Sequence, residues 1–353
     1  MSAKASVSVS GVGVLLLAAA AALPAAPQWT EQASGVAVRL RGISAASDRV
    51  VWASGARGTV LRSTDGGAGW RTLAVPGAGA LDFRDVDAVS ETIAYVLSIG
   101  NGDASRIYKT TDTGATWQLQ FTNDQPDAFY DAMAFWSPDA GVAVSDSVGG
   151  RFVVRMTSDG GRTWPPVDAA RLPPALPNEG YFAASGTNVA VFGDEHVWLG
   201  TGAASRARVL RSADRGRTWQ VADTPLAAGP TSGIYSIAFR DALHGVVVGG
   251  DYSKETEAVD NAAVTADGGA TWTLVTGLSG FRSVVVHVPG TEATWLAVGP
   301  SGADISPDDG QTWAPVAGPG YDTFSFAPGR PFGWGAGSGG RIGRLEMTVG
   351  QWH

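Results

Sequence analysis

One octapeptide recurs six times along the chain and constrains its fold more than any other feature. The copies are STDGGAGW (63–70), TTDTGATW (110–117), TSDGGRTW (157–164), SADRGRTW (212–219), TADGGATW (265–272) and SPDDGQTW (306–313). The shared form is Ser/Thr-x-Asp-x-Gly-x-Thr-Trp, departed from only at Gly69, where Thr is expected. Asp65, Asp112, Asp159, Asp214, Asp267 and Asp308 are spaced 47, 47, 55, 53 and 41 residues apart. Periods of about 40–50 residues filled with short strand-like runs indicate the blades of a β-propeller. Composition agrees: 48 Gly and 13 Trp among 353 residues, with 16% charged, favour tight turns and apolar strands over disorder.

The chemistry of the octapeptide is structural. An Asp side chain accepts backbone N–H groups within a tight turn, and Gly takes a φ that other residues resist. The Trp then starts the next strand and packs between blades. An active site needs one base, whereas this chain has six equivalent aspartates. One carboxylate per turn also falls short of the 6–8 oxygens that Ca²⁺ takes, and no metal is expected.

A second signal marks the second strand (b) of each blade: VVWASG (50–55), AYVLSIG (94–100), GVAVSD (141–146), HVWLGTG (196–202), GVVVGGD (245–251), TWLAVGP (294–300) and GWGAG (333–337). Seven such strands against six octapeptides imply a last blade that lacks its outer strand. The segment 28–32 (QWTEQ) resembles TWQLQ (116–120), with Trp29 in the place of the octapeptide tryptophans. The expectation is an all-β chain: a single seven-bladed propeller of four-stranded antiparallel blades, closed by an N-terminal strand that completes the last blade and protects exposed edges. Its blades span 36–76, 80–122, 128–168, 180–224, 232–276, 280–317 and 320–349 plus 28–34, within a domain 27–349.

The octapeptide resembles the Asp-box (BNR) repeat of the sialidase superfamily. Over residues 28–349 the chain looks most like the propellers of the photosystem II stability and assembly factor family. That resemblance implies a non-catalytic propeller binding a protein or peptide partner. The superfamily resemblance implies an alternative, a sialidase-like glycoside hydrolase or a carbohydrate-binding propeller that takes an acidic glycan. Sialidases use an arginine triad, a Tyr–Glu nucleophile pair and an Asp acid/base. Tyr235, Glu179 and Asp131 would fill the catalytic roles, with Arg41, Arg84 and Arg282 as the triad. The superfamily's Arg-Ile-Pro segment is absent, since the chain reads Arg41-Gly42-Ile43.

Other chemistries lack their residues. With no Cys there are no disulfides, thiolate metal sites or Cys nucleophiles. The sequence GAGSGG (335–340) matches a dinucleotide-binding pattern, but a strand follows where that site needs a helix. It reads as a turn between strands b and c, and no cofactor is expected. His196, His244, His287 and His353 show no metal-ligating spacing. A net charge of −8 without a basic run argues against nucleic acid. At the N-terminus, Lys4 precedes a 12-residue apolar run (12–23), too short for the ~20 residues of a membrane span. Small residues follow, so residues 1–26 read as a signal peptide cleaved between about Ala22 and Ala26. The expectation is export to the periplasm or beyond, as a monomer, with a peripheral membrane complex as one setting.

In a meander, the d–a and b–c connections share one face, where propeller ligands usually sit, and the octapeptide turns occupy the other. Counting back from strand b places Arg41, Arg84, Asp131, Thr187, Tyr235, Arg282 and Asp322 in a ring at the start of the seven innermost strands (a). Two residues on, each blade has an apolar residue: Ile43, Val86, Met133, Val189, Ile237, Val284 and Phe324. Arg41, Arg84, Asp131, Tyr235, Arg282 and Asp322 form a candidate site for a carboxylate, sulfate or acidic peptide, because guanidinium groups hold such anions bidentately. The same charges could instead satisfy one another, Asp322 between Arg282 and Arg41 and Asp131 beside Arg84. Two loops overhang this face: 165–182, with five prolines, and 251–262, with Asp251, Glu255, Glu257 and Asp260.

Overall fold

The structure, a computed structural model, describes residues 27–347. The leader read from the sequence and residues 348–349 of the last blade lie outside the described residues. Seven antiparallel sheets follow one another around a ring, each a meander with strands in the order a-b-c-d. Blade 1 runs Leu40–Ala45, Val51–Gly55, Thr59–Ser63 and Arg71–Leu73; the blades after it repeat this plan. Closure is as the sequence implies. Strand Gln28–Gln32 pairs with Ile342–Glu346 as the outer strand of blade 7, in register from Gln28 opposite Glu346 to Gln32 opposite Ile342. The segment 337–341 is the b–c turn of that blade.

Blade 3 departs from the plan. Its three strands, Tyr130–Ser137, Ala140–Val148 and Arg151–Thr157, are followed by single bridges, Arg155 to Pro166 and Arg151 to Pro174, where a fourth strand would lie. Prolines at 165, 166, 173 and 174 remove the N–H groups that a continuous ladder needs. The carbonyl of Val154 still receives the N–H of Val167 (2.8 Å), so the edge is covered.

The octapeptide turns join each blade to the one before. In every copy the first Ser or Thr hydroxyl donates to the Asp carboxylate at 2.8–2.9 Å and accepts the N–H of the Gly at 2.8–3.0 Å. In five copies the Thr hydroxyl closes on the other carboxylate oxygen at 2.6–2.7 Å; Gly69 leaves that bond unmade in the first. These bonds hold the carboxylates of Asp159, Asp214 and Asp267 at about 2, below their ordinary range. Where strand b of the preceding blade carries an aromatic residue, the turn seats on it. Trp334 donates to the carbonyl of Gly66 (3.2 Å), Tyr95 to Gly160 (2.9 Å) and Trp198 to Gly268 (2.8 Å). A Cβ at Gly114, where φ is +85°, would sit 2.4 Å from Leu73 and 3.3 Å from Trp52 of the preceding blade.

Apolar cores lie between neighbouring sheets. Trp52, Val60 and Leu73 of blade 1, for example, pack against Phe83, Val86 and Val96 of blade 2. Nearer the axis a polar zipper links strands a: Ser325 accepts the N–H of Ala45, Ser44 that of Ala88, and Ser236 that of Val285. Between blades 2 and 3 the acceptors are carboxylates, Asp85 to Met133 (2.7 Å) and Asp87 to Phe135 (3.2 Å). Among the described residues no helix is long and apolar enough to cross a membrane.

Candidate functional site

On the d–a/b–c face the axial opening is a cup with a closed floor, not a channel. The proline-rich segment after blade 3 delivers Phe182–Gly186 across the axis before blade 4 begins at Val189. This plug is tied to blades on the far side. The guanidinium groups of Arg41 and Arg84 donate to the carbonyls of Ala184 (3.3 Å) and Ala183 (3.1 Å). The Ser185 hydroxyl donates to Ser283 O (2.8 Å), and a Cβ at Gly186 would lie 2.2 Å from Asp85. Above the plug lies a cavity of about 350 Å³, lined among others by Arg39, Arg41, Arg84, Tyr235, Ser283 and Asp322.

Of the ring read from the sequence, Arg41, Arg84, Tyr235 and Asp322 line this cup, and the position counted in blade 6 is shifted by one residue. There Trp295 pairs with Ser306, the first residue of its octapeptide, as Val51 pairs with Ser63 in blade 1. Val285 therefore faces Ala297 as Ile43 faces Ala53. Counting back two residues gives Ser283, not Arg282. A one-residue step in a strand reverses the face. Arg282 accordingly points away from the cavity; its side chain is fully buried and its Nε donates to Asp304 at 2.7 Å. The pairing suggested for Asp322 is corrected as well. Its partner is Arg39, which grips both carboxylate oxygens at 2.8 and 2.6 Å. Thr187 bonds Ser236 (2.8 Å) and takes no part in the lining, and Asp131 is buried outside it.

The three arginines of the cup differ in how their charge is met. Arg39 has Asp322, and Arg84 has Asp82 at 2.9 Å. Arg41 makes one hydrogen bond among the described residues, to the neutral carbonyl of Ala184, and has no carboxylate. Burial pushes its pKa down to about 10, with Arg39 and Arg84 adding repulsion and Asp322 opposing them.

The residues considered for catalysis are not assembled. The Tyr235 hydroxyl donates to Thr231 O at 2.9 Å, and burial pushes its pKa up. The carboxylate of Glu179 is fully buried, and its partners are the Arg208 guanidinium, the Thr201 hydroxyl (2.7 Å) and the N–H of Leu176 (2.8 Å). Asp131 has one buried oxygen without a hydrogen-bond partner among the described residues, and burial beside Asp146 raises its pKa well above the ordinary value. The aspartates of the octapeptides lie in their turns, away from this cup. A concavity on their face, between blades 5 and 6, is lined by His244, Asp267 and Asp309. Its acids are engaged, Asp267 by its turn and Asp309 by Arg240 and Trp295.

Several lining residues escape the ring pattern. Arg39 lies just before the strand, and the register shift at Arg41, between Leu40 and Gly42, removes the alternation that would have pointed to it. Phe182, Tyr252 and Glu255 belong to the two overhanging loops, and Phe281 to the entry of blade 6. Phe182 stacks on Tyr235 with centroids 4.0 Å apart, and Phe281 meets Tyr235 edge-on at 4.6 Å.

No protein-family model matches the chain, and no curated protein matches it in sequence. Solved structures match its fold. YCF48 bound to D1 peptide aligns with a TM-score of 0.64 at 15% identity, covering 92% of this chain and 98% of that one. YCF48 from Cyanidioschyzon merolae aligns with a TM-score of 0.62 at 18% identity, covering 91% and 99%. The WD40 β-propeller domain of Doa1 gives 0.59 at 13% identity, covering 91% and 98%. At these identities the likeness is one of fold.

Proposed function

We propose that this chain is an exported, non-catalytic propeller whose cup captures a carboxylate-bearing protein or peptide, in the manner of an assembly or stability factor for an envelope or membrane complex. The observation that carries the reading is the Arg41 guanidinium, desolvated beside the cavity and bonded only to a neutral carbonyl among the described residues. A bound carboxylate would supply the missing charge and accept two parallel N–H bonds. One structure of like fold is of YCF48 bound to a peptide, which supports a peptide as the class of ligand. The glycoside hydrolase alternative needs a Tyr–Glu pair, and Glu179 is engaged with Arg208 and Thr201 instead.

The test is binding of a fluorescein-labelled acidic peptide at low salt, by anisotropy, to the wild type and to Arg41→Ala. Charged hydrogen bonds of this kind are worth about 1.5–3 kcal/mol, so the variant is expected to bind at least tenfold more weakly with an unchanged far-UV spectrum. Equal binding by the two proteins would overturn the proposal.

A further inference from the structure

The charged wall of the cup is faced by an aromatic one, and the two together specify more than a negative charge. Phe182 and Tyr235 lie parallel within 5° at 4.0 Å, and Phe281 closes on Tyr235 at 90°. Tyr235 and Phe281 are buried, and Phe182 is partly buried against them. Tyr252 is different. It stands over Tyr235 at 6.3 Å and 65°, yet half of its surface is exposed.

Tyr252 is also held in place. Its loop is pinned to blade 6 through the carbonyl of Glu255, which accepts from Phe281 N (3.0 Å) and from the Ser301 hydroxyl (2.8 Å). At its far end the carbonyl of Asp260 accepts from Ala227 N (2.8 Å). An anchored, exposed aromatic over an aromatic-lined cavity is a stacking position without an occupant among the described residues. The cavity, about 350 Å³, is at the small end of ligand pockets. Its floor is the plug, whose carbonyls are already taken by Arg41 and Arg84. A chain cannot pass through the cup; it can enter and end there.

From this geometry we infer that the cup receives the C-terminus of a peptide ending in an aromatic residue, its free carboxylate on Arg41 and Arg84 and its ring against Tyr252, Tyr235 and Phe281. A side-chain carboxylate would need two flanking chain segments to leave through one mouth, whereas a terminal residue needs one. The inference rests on the carboxylate reading above and adds the chain end and the ring.

The experiment is calorimetric titration of the full chain with three acetylated tetrapeptides: Ala-Ala-Ala-Phe, Ala-Ala-Ala-Gly and the C-terminal amide of the first. Burying an aromatic ring is worth about 1.5–3 kcal/mol, so the Phe acid is expected to bind at least tenfold more tightly than the Gly acid. The amide should lose at least tenfold. Tyr252→Ala should cut the preference for Phe over Gly to about threefold or less with the wild-type far-UV spectrum retained, which a merely unfolded variant would not do. Equal binding of the Phe and Gly acids would overturn the aromatic assignment and leave the carboxylate site standing. Equal binding of acid and amide would overturn the chain-end assignment. Tight binding of the internal acidic peptide with none of the three tetrapeptides would overturn this inference alone.

Discussion

Replacing Asp87 with Asn should make the propeller more stable above neutrality and leave it unchanged in mild acid. Asp87 ends strand a of blade 2 (Asp82–Asp87), where its carboxylate accepts the N–H of Phe135 at 3.2 Å. Burial pushes its pKa up to about 7 from 3.8, with the Phe135 bond pulling the other way. The folded state therefore keeps a proton that the unfolded chain releases near pH 4. Its contribution to stability is full below that pH and falls as pH rises to about 7, then stays constant. At 1.36 kcal/mol per unit, a shift of this size corresponds to at most about 4 kcal/mol between pH 4 and pH 8, and relaxation around the site lowers it. Asn imitates the protonated acid: it keeps an acceptor for Phe135 and never charges. Urea denaturation of wild type and Asp87→Asn from pH 4.5 to 8.5 reads the difference directly. The curves should approach one another as pH falls toward 4, separate progressively up to about pH 7 and keep a constant gap above it, the variant being more stable there by ~1–4 kcal/mol. Asp85, Asp131 and Asp146 also have raised pKa values, so both curves will slope; their difference reports Asp87 together with its repulsion of Asp85. Parallel curves, or a variant less stable at pH 8, would refute the reasoning.

Gly69→Thr should stabilise the protein, because the other five turns close a Thr hydroxyl on the Asp carboxylate at 2.6–2.7 Å and a Cβ at Gly69 would sit 3.3 Å from Asp65. A hydrogen bond worth ~0.5–1.5 kcal/mol and the lost glycine freedom of the unfolded chain both favour the variant; a melting temperature at or below wild type counts against the account. Asp304→Ala should cost about 3–5 kcal/mol in urea unfolding, since it strands the fully buried guanidinium of Arg282. Arg282→Met added to it should recover most of that loss, and a second loss of equal size would show that the pair is not the cause.

The parts of this molecule that were legible in the sequence are those whose cause is local. The side-chain bonds within the octapeptide join residues two to four apart, so Ser63, Asp65 and Gly67 announce the turn by themselves. The N-terminal strand was legible because Trp29 repeats the pattern of the octapeptide tryptophans. The ring needed more, since its positions were counted across a–b turns whose lengths differ between blades. In blade 6 the count went one residue too far back, and with period two that error exchanged a pocket residue, Ser283, for Arg282, which is paired with Asp304 inside its own blade. The plug had no local signature. Ala184 meets Arg41 across 143 residues and Ala183 meets Arg84 across 99, and both plug partners are backbone carbonyls, which any residue would carry.

The plug also bears on how the charge of Arg41 is met. Arg208 and Arg282 are buried in the same fold, and each holds a carboxylate, Glu179 and Asp304. Arg41 meets a carbonyl, which satisfies an N–H group but not a positive charge. Asp322, the nearest candidate to neutralise it, is held in both oxygens by Arg39. Structure alone would be served as well by an apolar residue at position 41, so the arginine is a local loss of stability retained beside a cavity. The combination of a guanidinium met by a neutral carbonyl, the plug beneath it and an exposed ring at Tyr252 is the physical ground for placing recognition in the cup and not at the octapeptide turns, where five of the six aspartates have both carboxylate oxygens bonded within the turn.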